Sequence, residues 1–414
     1  MVLDSRPFQR LRQIHQLAMT YLVYPGATHR RFEHSLGVME LASRVFDIIT
    51  AEPIHDTVRS IIPIDDLKRY WRRVLRMSAL CHDLGHLPFS HAAEEELLPD
   101  GWDHERITAE IIKSKEMREI WERGLTMPLK TEDIIKVALG PKKAKKLGLE
   151  FNDWETILSE IITGDTFGVD RMDYLLRDSL HTGVAYGKFD HYRLIDTLRI
   201  LPKSKDGDDS TEPTLGLAAG GIQSAEALLW ARYFMYSQVY FHPVRRIYDI
   251  HLKDFLKEWL PNGKFSTVIE DHLAITDNEV IVELRKAALG TKHPGHIHAK
   301  RIIEHKHFKV LYECTPGDRN ININAGKAVY DAACEKFGPD AVRRDQYTQK
   351  NSSQNFPVLQ DGKILQSIDL SDTLTKAPVA ATDLVFIDRE HLDAAKKWLE
   401  DNHGNIIKPP GEID

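Results

Sequence analysis

The sequence predicts a mainly helical protein with a smaller α/β module towards its C-terminal end. Apolar residues recur at intervals of three and four over about the first 250 residues, and strand-like alternation is nearly absent there. After about residue 260, short β-rich runs are separated by turns and helices. Because 414 residues exceed the usual size of one domain, we expect an all-helical core over residues 1–258 and an α/β module over residues 259–414.

The helical core is predicted from a series of amphipathic runs. They include LGVMELASRVFDIIT (36–50), YWRRVLRMSALCHDLGH (70–86) and the stretches 90–96, 107–114, 157–162, 171–179 and 225–257. The stretch KSKDGDDSTEPT (203–214) is too polar and too rich in turn residues to pack. We expect it to form an exposed loop or hairpin tip between core helices.

The C-terminal module is predicted from four short β-rich runs, which are HFKVLYEC, FPVLQ, KILQSIDL and LVFID. Helices are predicted over 325–337 and over 389–402, and the last of them would close the module. The final residues, GNIIKPPGEID, are predicted to be a loose tail.

Composition limits the classes of function. No apolar run approaches the roughly 20 residues of a membrane span, and the N-terminus has no continuous apolar stretch of the kind found in secretory signals. We therefore expect a cytoplasmic protein with no membrane partner. The three cysteines lie far apart in sequence, so any metal should sit on histidine and carboxylate ligands. The net charge of −7, with one basic run at 140–148 that lacks aromatic residues, argues against a nucleic-acid partner.

The segment CHDLGHLPFSH (81–91) contains three histidines and an aspartate at the end of a predicted hydrophobic helix. A single histidine beside an apolar helix is usually structural, but this density favours a metal site. On a helix, His82 and Asp83 diverge by about 100° and can still converge on an ion beside the axis, with His86 one turn further on. Gly85 and Pro88 are predicted to end the helix.

Two further segments supply candidate ligands. RRFEHSLGV places His34 at the start of one predicted helix, and GVDRMDYLLRD places Asp170 at the start of another. We therefore predict a divalent metal bound by His34, His82, Asp83 and Asp170. Imidazole and carboxylate donors suit Mn, Fe, Zn, Ni or Mg to different degrees, and the mixture favours a first-row transition ion over Ca²⁺.

The order H…HD…D of these ligands resembles the signature of the HD phosphohydrolase superfamily. The strings FQRLRQIHQL, YPGATHRRFEHSLGV, CHDLGHLPFSH, WDHE and DRMDYLLRDSLHTG resemble, in this order, the deoxynucleoside triphosphate triphosphohydrolases of that superfamily. The resemblance covers about residues 1–250. It implies an all-helical HD-domain core that cleaves a dNTP into deoxynucleoside and inorganic triphosphate, and a homo-oligomer that is a dimer or a tetramer.

The resemblance also implies roles for individual residues. His86 and His104 would hold or deprotonate the attacking water, His91 would protonate the leaving 5′-oxygen, and Glu94 would support these histidines. A triphosphate carries about four negative charges, which arginine binds without titrating, and the matching positions are Arg31, Arg171 and Arg232. The positions that match deoxyribose recognition are Gln16, Leu17, Tyr174, Asp178 and Tyr240. The positions that match a dNTP or GTP effector site are Asp4, Gln9, Arg12 and Arg193.

Other interpretations are open. An arginine on a helix is more often in a surface ion pair, and the deoxyribose positions could be ordinary helix packing. The chain could be an HD phosphohydrolase that acts on a nucleoside monophosphate or a cyclic nucleotide, although three arginines favour a polyphosphate. It could also sense nucleotides without turnover, but a sensor has no need of intact metal ligands. A nuclease would need a basic surface that the overall charge does not supply.

Overall fold

The structure is a computed structural model that describes residues 1–52, 54, 59–63, 65–90, 94–204, 211–349, 355–376 and 378–408. The chain divides into two compact units. The first comprises Met1–Met235, Phe265–Asn278 and Asn351–Pro378, and the second comprises Tyr236–Lys264, Glu279–Lys350 and Val379–Asp414. The units do not coincide with the predicted segments 1–258 and 259–414, because each draws on three stretches of chain.

The fold is mainly helical, as the sequence predicts. The α-helices are α1 (Arg6–Arg10), α2 (Arg31–Ile49), α3 (Asp65–Cys81), α4 (Glu94–Leu97), α5 (His104–Ile112), α6 (Lys115–Glu119), α7 (Thr131–Leu139), α8 (Pro141–Ala144), α9 (Asp153–Thr163), α10 (Val169–Thr182), α11 (His191–Thr197), α12 (Ile222–Met235), α13 (Pro243–Trp259), α14 (Ile269–Ala274), α15 (Asp277–Leu289), α16 (His296–Ile303), α17 (Pro316–Ile321), α18 (Ala325–Phe337), α19 (Ser367–Leu370), α20 (Asp372–Lys376) and α21 (Leu392–Ile406).

Seven strands and several short helical turns complete the described structure. The strands are β1 (Leu198–Ser204), β2 (Thr211–Ala218), β3 (Lys309–Glu313), β4 (Val342–Thr348), β5 (Pro357–Gln360), β6 (Lys363–Gln366) and β7 (Ala381–Ile387). The 3₁₀ turns are Leu11–Gln13, Thr20–Leu22, Lys145–Leu147, Ala219–Gly221, Pro261–Gly263, Pro339–Ala341 and Arg389–His391, and the π turns are Ile120–Gly124 and Tyr236–Tyr240.

Several predicted helices have different limits in the structure, and three of the differences change the chain path. The helix predicted over 70–86 ends at Cys81, and the chain then forms a turn. Glycine is needed at position 85, because a Cβ atom there would lie 2.1 Å from the carbonyl oxygen of His104 in α5. The helix predicted over 225–257 is interrupted by a π turn, after which Pro243 begins α13. Helix α21 continues to Ile406, so the first residues of the predicted tail are helical, whereas 409–414 lie outside the described residues.

The first unit contains a four-stranded sheet, which the expectation of an all-helical core did not include. Its strand order is β1-β2-β5-β6. β1 and β2 pair antiparallel from Leu198↔Leu217 to Ser204↔Thr211, so the ends of the predicted 203–214 loop are strands, and 205–210 lie outside the described residues. β5 pairs parallel with β2. The runs FPVLQ and KILQ, expected in the C-terminal module, therefore complete the sheet of the first unit.

The second unit contains a three-stranded antiparallel sheet in the order β3-β7-β4. Successive residues of β7 alternate between two apolar clusters. Val385 and Ile387 belong to the cluster that includes residues of α18 and α21, whereas Leu384 and Phe386 belong to the cluster that includes residues of α13. Both faces of β7 are thus buried, which explains why LVFI is a continuous apolar run.

A partly buried carboxyl group joins α9 to the sheet of the first unit. Glu160 accepts hydrogen bonds from the Thr214 hydroxyl at 2.8 Å and from the Leu215 amide at 3.2 Å. Burial raises the pKa of Glu160 from its ordinary value of 4.5 to about 7, although these two hydrogen bonds act in the opposite direction. The folded state therefore binds this proton more tightly than the unfolded chain does.

We predict that Glu160 makes stability depend on pH. Its contribution is complete below pH 4.5, the ordinary pKa, and is lost as the pH rises through the folded-state pKa of about 7. Between about pH 5 and pH 8, the free energy of unfolding of the wild type should fall by about 2 kcal/mol relative to that of Glu160→Gln, which cannot ionise. Urea titrations of both proteins across this range measure the effect. The exposed Glu150→Gln should retain the wild-type profile, and parallel profiles for wild type and Glu160→Gln would refute the assignment.

Candidate metal centre and active site

The four predicted metal ligands converge in the first unit. His34 lies in the first turn of α2, Asp170 lies in the first turn of α10, and His82 and Asp83 follow the end of α3. His34 Nε2 is 3.0 Å from Asp170 Oδ1 and 3.6 Å from Asp83 Oδ2. His82 Nε2 is 3.3 Å from Asp83 Oδ1 and 3.5 Å from Asp170 Oδ1. Two imidazole nitrogens and two carboxylates therefore face one point, although His82 and Asp83 lie in a turn rather than on the predicted helix.

The hydrogen bonds of the two imidazoles leave the correct nitrogen for a metal. Nδ1 of His82 is 2.7 Å from the carbonyl oxygen of Ala79, to which it donates. Its Nε2 is buried and has no hydrogen-bond partner among the described residues. Nδ1 of His34 is 2.7 Å from Asp173 Oδ2, so its Nε2 also faces the carboxylates. This donor set fits a divalent cation, because each ring is oriented through the nitrogen that would not bind the metal.

The electrostatics of the cluster favour a positive charge at its centre. Burial disfavours the charged form of His34, but hydrogen bonds to Asp170 and Asp173 outweigh burial and raise its pKa to about 10. Burial alone would also raise the pKa of Asp170, yet His34 and His82 lower it. A proton and a metal ion compete for the same imidazole nitrogen. The carboxylates that hold a proton on His34 would therefore hold a cation in its place.

Asp173, which we did not predict, orients His34. It lies one turn after Asp170 on α10 and is held by Arg177, whose Nε and Nη2 are each 2.8 Å from one carboxylate oxygen. The chain Arg177–Asp173–His34 thus fixes the ring that faces the metal position. The spacing of DRMDYLLR is a signal for this role, because residues three and four apart share one face of a helix.

Arg31 is an arginine that contacts the ligand group. It is the first residue of α2 and is buried. Its Nη1 donates to Asp83 Oδ2, and its Nε donates to the Ser90 hydroxyl at 2.7 Å. Arg31, His82 and His86 lower the pKa of Asp83 well below its usual range, although burial acts in the opposite direction.

Two of the predicted catalytic histidines form a stacked pair. The rings of His86 and His104 have their centroids 4.0 Å apart with an angle of 16° between their planes, and His86 Nε2 is 3.2 Å from Asp83 Oδ1. Burial, Arg31 and His104 lower the pKa of His86 well below its ordinary value, so its ring is neutral at neutral pH. His91 lies outside the described residues, as does the side chain of Glu94 at the start of α4.

Comparison with known proteins assigns the chain to a family. Residues 31–162 match the HD domain family model, and residues 189–315 match the model of the HD associated region. The chain belongs to the HD-domain family.

Among the described residues, none of the helices has the length and apolarity that a membrane span requires.

Similar proteins include characterised and uncharacterised members. An uncharacterised protein of Methanocaldococcus jannaschii is 39% identical over 252 residues, which are 61% of this chain and 44% of that protein. The Gallus gallus protein named deoxynucleoside triphosphate triphosphohydrolase SAMHD1 is 36% identical over 223 residues, which are 48% of this chain and 34% of that protein. The matches therefore span less than half the length of these two relatives. The crystal structure of a hypothetical protein from Aquifex aeolicus has 32% identity and a TM-score of 0.76, covering 96% of this chain and 94% of that one.

Two of the predicted deoxyribose-binding residues of this HD protein contact the same histidine. The backbone amide of Gln16 donates to the carbonyl oxygen of His29 at 3.1 Å, and His29 Nε2 is 2.7 Å from Asp178 Oδ1. His29 was not predicted. Leu17 is buried, and Tyr174 lies on α10 one turn after Asp170. Tyr240 belongs to the second unit.

The other predicted residues occupy separate places. Arg171 Nη1 donates to the carbonyl oxygen of Asp165, and Arg232 is buried on α12. Among the predicted effector residues, Gln9 accepts a hydrogen bond from Arg12 Nε at 3.0 Å, and Asp4 pairs with the N-terminal ammonium at 2.7 Å. Arg193 instead donates to the carbonyl oxygen of Gly220 at 3.0 Å. An effector site built from these residues stays a prediction.

We predict that Asp173→Asn weakens metal binding. The amide presents one acceptor oxygen in place of two, so it cannot both hold His34 and pair with Arg177 as the carboxylate does. Loss of a residue that orients a metal ligand typically lowers affinity by about 10- to 100-fold. Titration with Mn²⁺ measures the dissociation constant. Asp133→Asn is the matched control, since Asp133 is another buried carboxylate of the first unit that accepts from Tyr70. An unchanged Mn²⁺ affinity in Asp173→Asn would exclude the orienting role.

Proposed function

We propose that this HD protein hydrolyses dNTPs to deoxynucleoside and inorganic triphosphate with the help of a divalent metal. The observation that carries the proposal is the buried Arg31 guanidinium, which is hydrogen-bonded to Asp83 inside the ligand group. A buried, permanently charged donor beside a metal position is suited to binding a polyphosphate. The triphosphohydrolase name of a relative adds support.

The proposed metal is held by His34, His82, Asp83 and Asp170. When bound, a divalent cation at such a site neutralises charge on a phosphoryl oxygen and makes a water molecule more acidic. Mn, Fe, Mg, Ni and Zn all accept mixed imidazole and carboxylate ligands, and each is a candidate for this metal.

The phosphates are proposed to bind arginine side chains. Arg31 is already oriented by Asp83 and Ser90, so little conformational entropy is lost when a phosphate approaches. Arg171 follows Asp170 in sequence, and its Nε is buried without a hydrogen-bond partner in the described part of the chain. We assign both to the triphosphate, with Arg232 on α12 as the third cation.

The histidines are proposed to move protons. The oxygen of water forms a bond to the α-phosphorus while the bond to the 5′-oxygen of the nucleoside breaks. His86, whose ring is neutral, accepts a proton from that water, and the ring of His104 stacks on it. His91 is proposed to give its proton to the departing 5′-oxygen, with Glu94 as the supporting carboxylate.

The sugar is proposed to lie against Gln16, Leu17, Tyr174 and Asp178, and Tyr240 stays a sugar contact predicted from the resemblance alone. A closely packed wall at C2′ excludes a ribose hydroxyl, and polar groups such as Asp178 suit the 3′-hydroxyl. Binding of a dNTP or GTP effector at Asp4, Gln9, Arg12 and Arg193 belongs to the same proposal. So does a homo-oligomer, a dimer or a tetramer, in the cytoplasm.

We predict that the purified protein with Mn²⁺ releases triphosphate from at least one dNTP. Each of the four dNTPs is incubated alone and in a mixture, and the products are separated by ion-exchange chromatography. Asp83→Ala should release none, because it removes a metal ligand. Turnover only in the mixture would indicate an effector. Hydrolysis of monophosphates or cyclic nucleotides alone would overturn the substrate assignment, and dNTP binding without any turnover would favour a sensor.

We predict that Arg31→Lys impairs turnover of dNTPs. Lysine keeps the charge but cannot donate to Asp83, Ser90 and a phosphate from one planar group. The value of kcat/KM should fall by about 100-fold, the usual size of effect for a lost charged hydrogen-bond donor at a reacting centre. Arg30→Lys changes the preceding residue on the chain and should stay within about twofold of wild type. Equal activities of Arg31→Lys and wild type would rule out the phosphate role.

A further inference from the structure

The loop that follows Asp83 has an unusual backbone. Phe89 and Ser90 are consecutive residues with φ of +57° and +54°, in the left-handed region that favours glycine. Side chains other than glycine persist in this conformation only when neighbouring groups hold them there. The groups that hold this turn therefore also fix the positions of Phe89 and Ser90.

Asp277 is one of these groups. Its Oδ1 accepts a hydrogen bond from the backbone amide of Phe89 at 2.7 Å. Its Oδ2 accepts from the backbone amide of His15 at 2.8 Å and is 2.6 Å from Nδ1 of the same residue. The Asp277 side chain is fully buried. One carboxylate thus ties the N-terminal segment of the chain to the left-handed turn.

The contacts continue from this turn to the ligand group. The Ser90 hydroxyl donates to the carbonyl oxygen of His15 at 3.2 Å and accepts from Arg31 Nε at 2.7 Å. The guanidinium of Arg31 then donates to Asp83. Asp277 therefore contacts two residues next to Ser90. One is Phe89, which precedes Ser90 in the chain, and the other is His15, whose carbonyl oxygen accepts from the Ser90 hydroxyl.

We propose that Asp277 is a positioning residue that fixes Ser90 and, through it, the Arg31 guanidinium for the triphosphate. This inference rests on the proposed function, because Arg31 is assigned there to the substrate. Asp277 lies within the HD associated region match, 189–315, and outside the HD domain match, 31–162. The associated region thus contributes to the geometry of the site through a residue that contacts no reacting atom.

The test compares Asp277→Asn with Asp133→Asn, in which a different buried carboxylate of the first unit is changed in the same way. In Asp277→Asn, one carboxylate oxygen becomes an NH₂ group that cannot accept from His15. We expect faster hydrogen exchange at the amides of Phe89 and Ser90, unchanged Mn²⁺ content, a fall in kcat of at least about 10-fold and a rise in KM of similar size, because Arg31 binds the triphosphate before and during the reaction. Asp133→Asn should change neither the exchange rates nor kcat.

A double variant separates positioning from general stability. If Asp277 acts through Ser90, Asp277→Asn combined with Ser90→Ala should be no slower than the slower single variant, whereas independent effects would multiply. Multiplying effects, unaltered exchange at Phe89 and Ser90, or wild-type kcat in folded Asp277→Asn would each overturn the proposal. Should Asp277→Asn fail to fold, His15→Gln is measured instead, because it removes the imidazole beside Asp277 and keeps the backbone amide that donates to it.

The exchange experiment does not depend on the substrate. If the wild type hydrolyses no dNTP, the proposed function fails, and the positioning role is then decided by exchange and by the affinity for inorganic triphosphate measured calorimetrically. Asp277→Asn should bind inorganic triphosphate at least about 10-fold more weakly than wild type, and equal affinity would overturn the role of Asp277.

Discussion

The convergence of three carboxylates around one buried histidine is the constraint on which the site depends. Asp83, Asp170 and Asp173 meet around His34, and like charges at such distances repel strongly in a medium of low dielectric constant. Cationic partners are therefore required on every side. Arg31 meets Asp83, Arg177 meets Asp173, and the histidines meet Asp170. A divalent cation would add the remaining positive charge at the centre, and the same hydrogen bonds that balance the carboxylates orient its candidate ligands.

The helix termini favour one of these charges and disfavour another. Asp170 lies in the first turn of α10, where the exposed backbone amides stabilise a negative charge. Arg31 begins α2, where the same helix end disfavours a cation, so its position depends on the hydrogen bonds to Asp83 and Ser90. In the turn that follows α3, the backbone at Gly85 approaches α5 so closely that only glycine fits. Backbone packing thus brings Asp83 to the start of α2.

His34, His82, Asp83 and Asp170 come from three distant segments, and their convergence was predicted from the order of their motifs, which resembles a known superfamily. Asp173 could have been found from its helical spacing to Asp170. His29 and Asp277 could not, because their partners lie 149 and 262 residues away in the chain. The same reason applies to β5 and β6: alternation identifies a strand, but it does not identify the sheet that the strand joins.

The segment that matches the HD domain therefore does not contain all the residues of the candidate site. It ends at residue 162 and contains His34, His82, Asp83, His86 and His104, but Asp170 and Asp173 lie beyond it. The first unit also includes Phe265–Asn278 and Asn351–Pro378, which supply Asp277 and two strands of its sheet. An HD motif establishes that histidine and aspartate side chains are present. The identity of the phosphoester is decided by the groups around them, and in this chain several of those groups come from segments that a match to the HD domain does not cover.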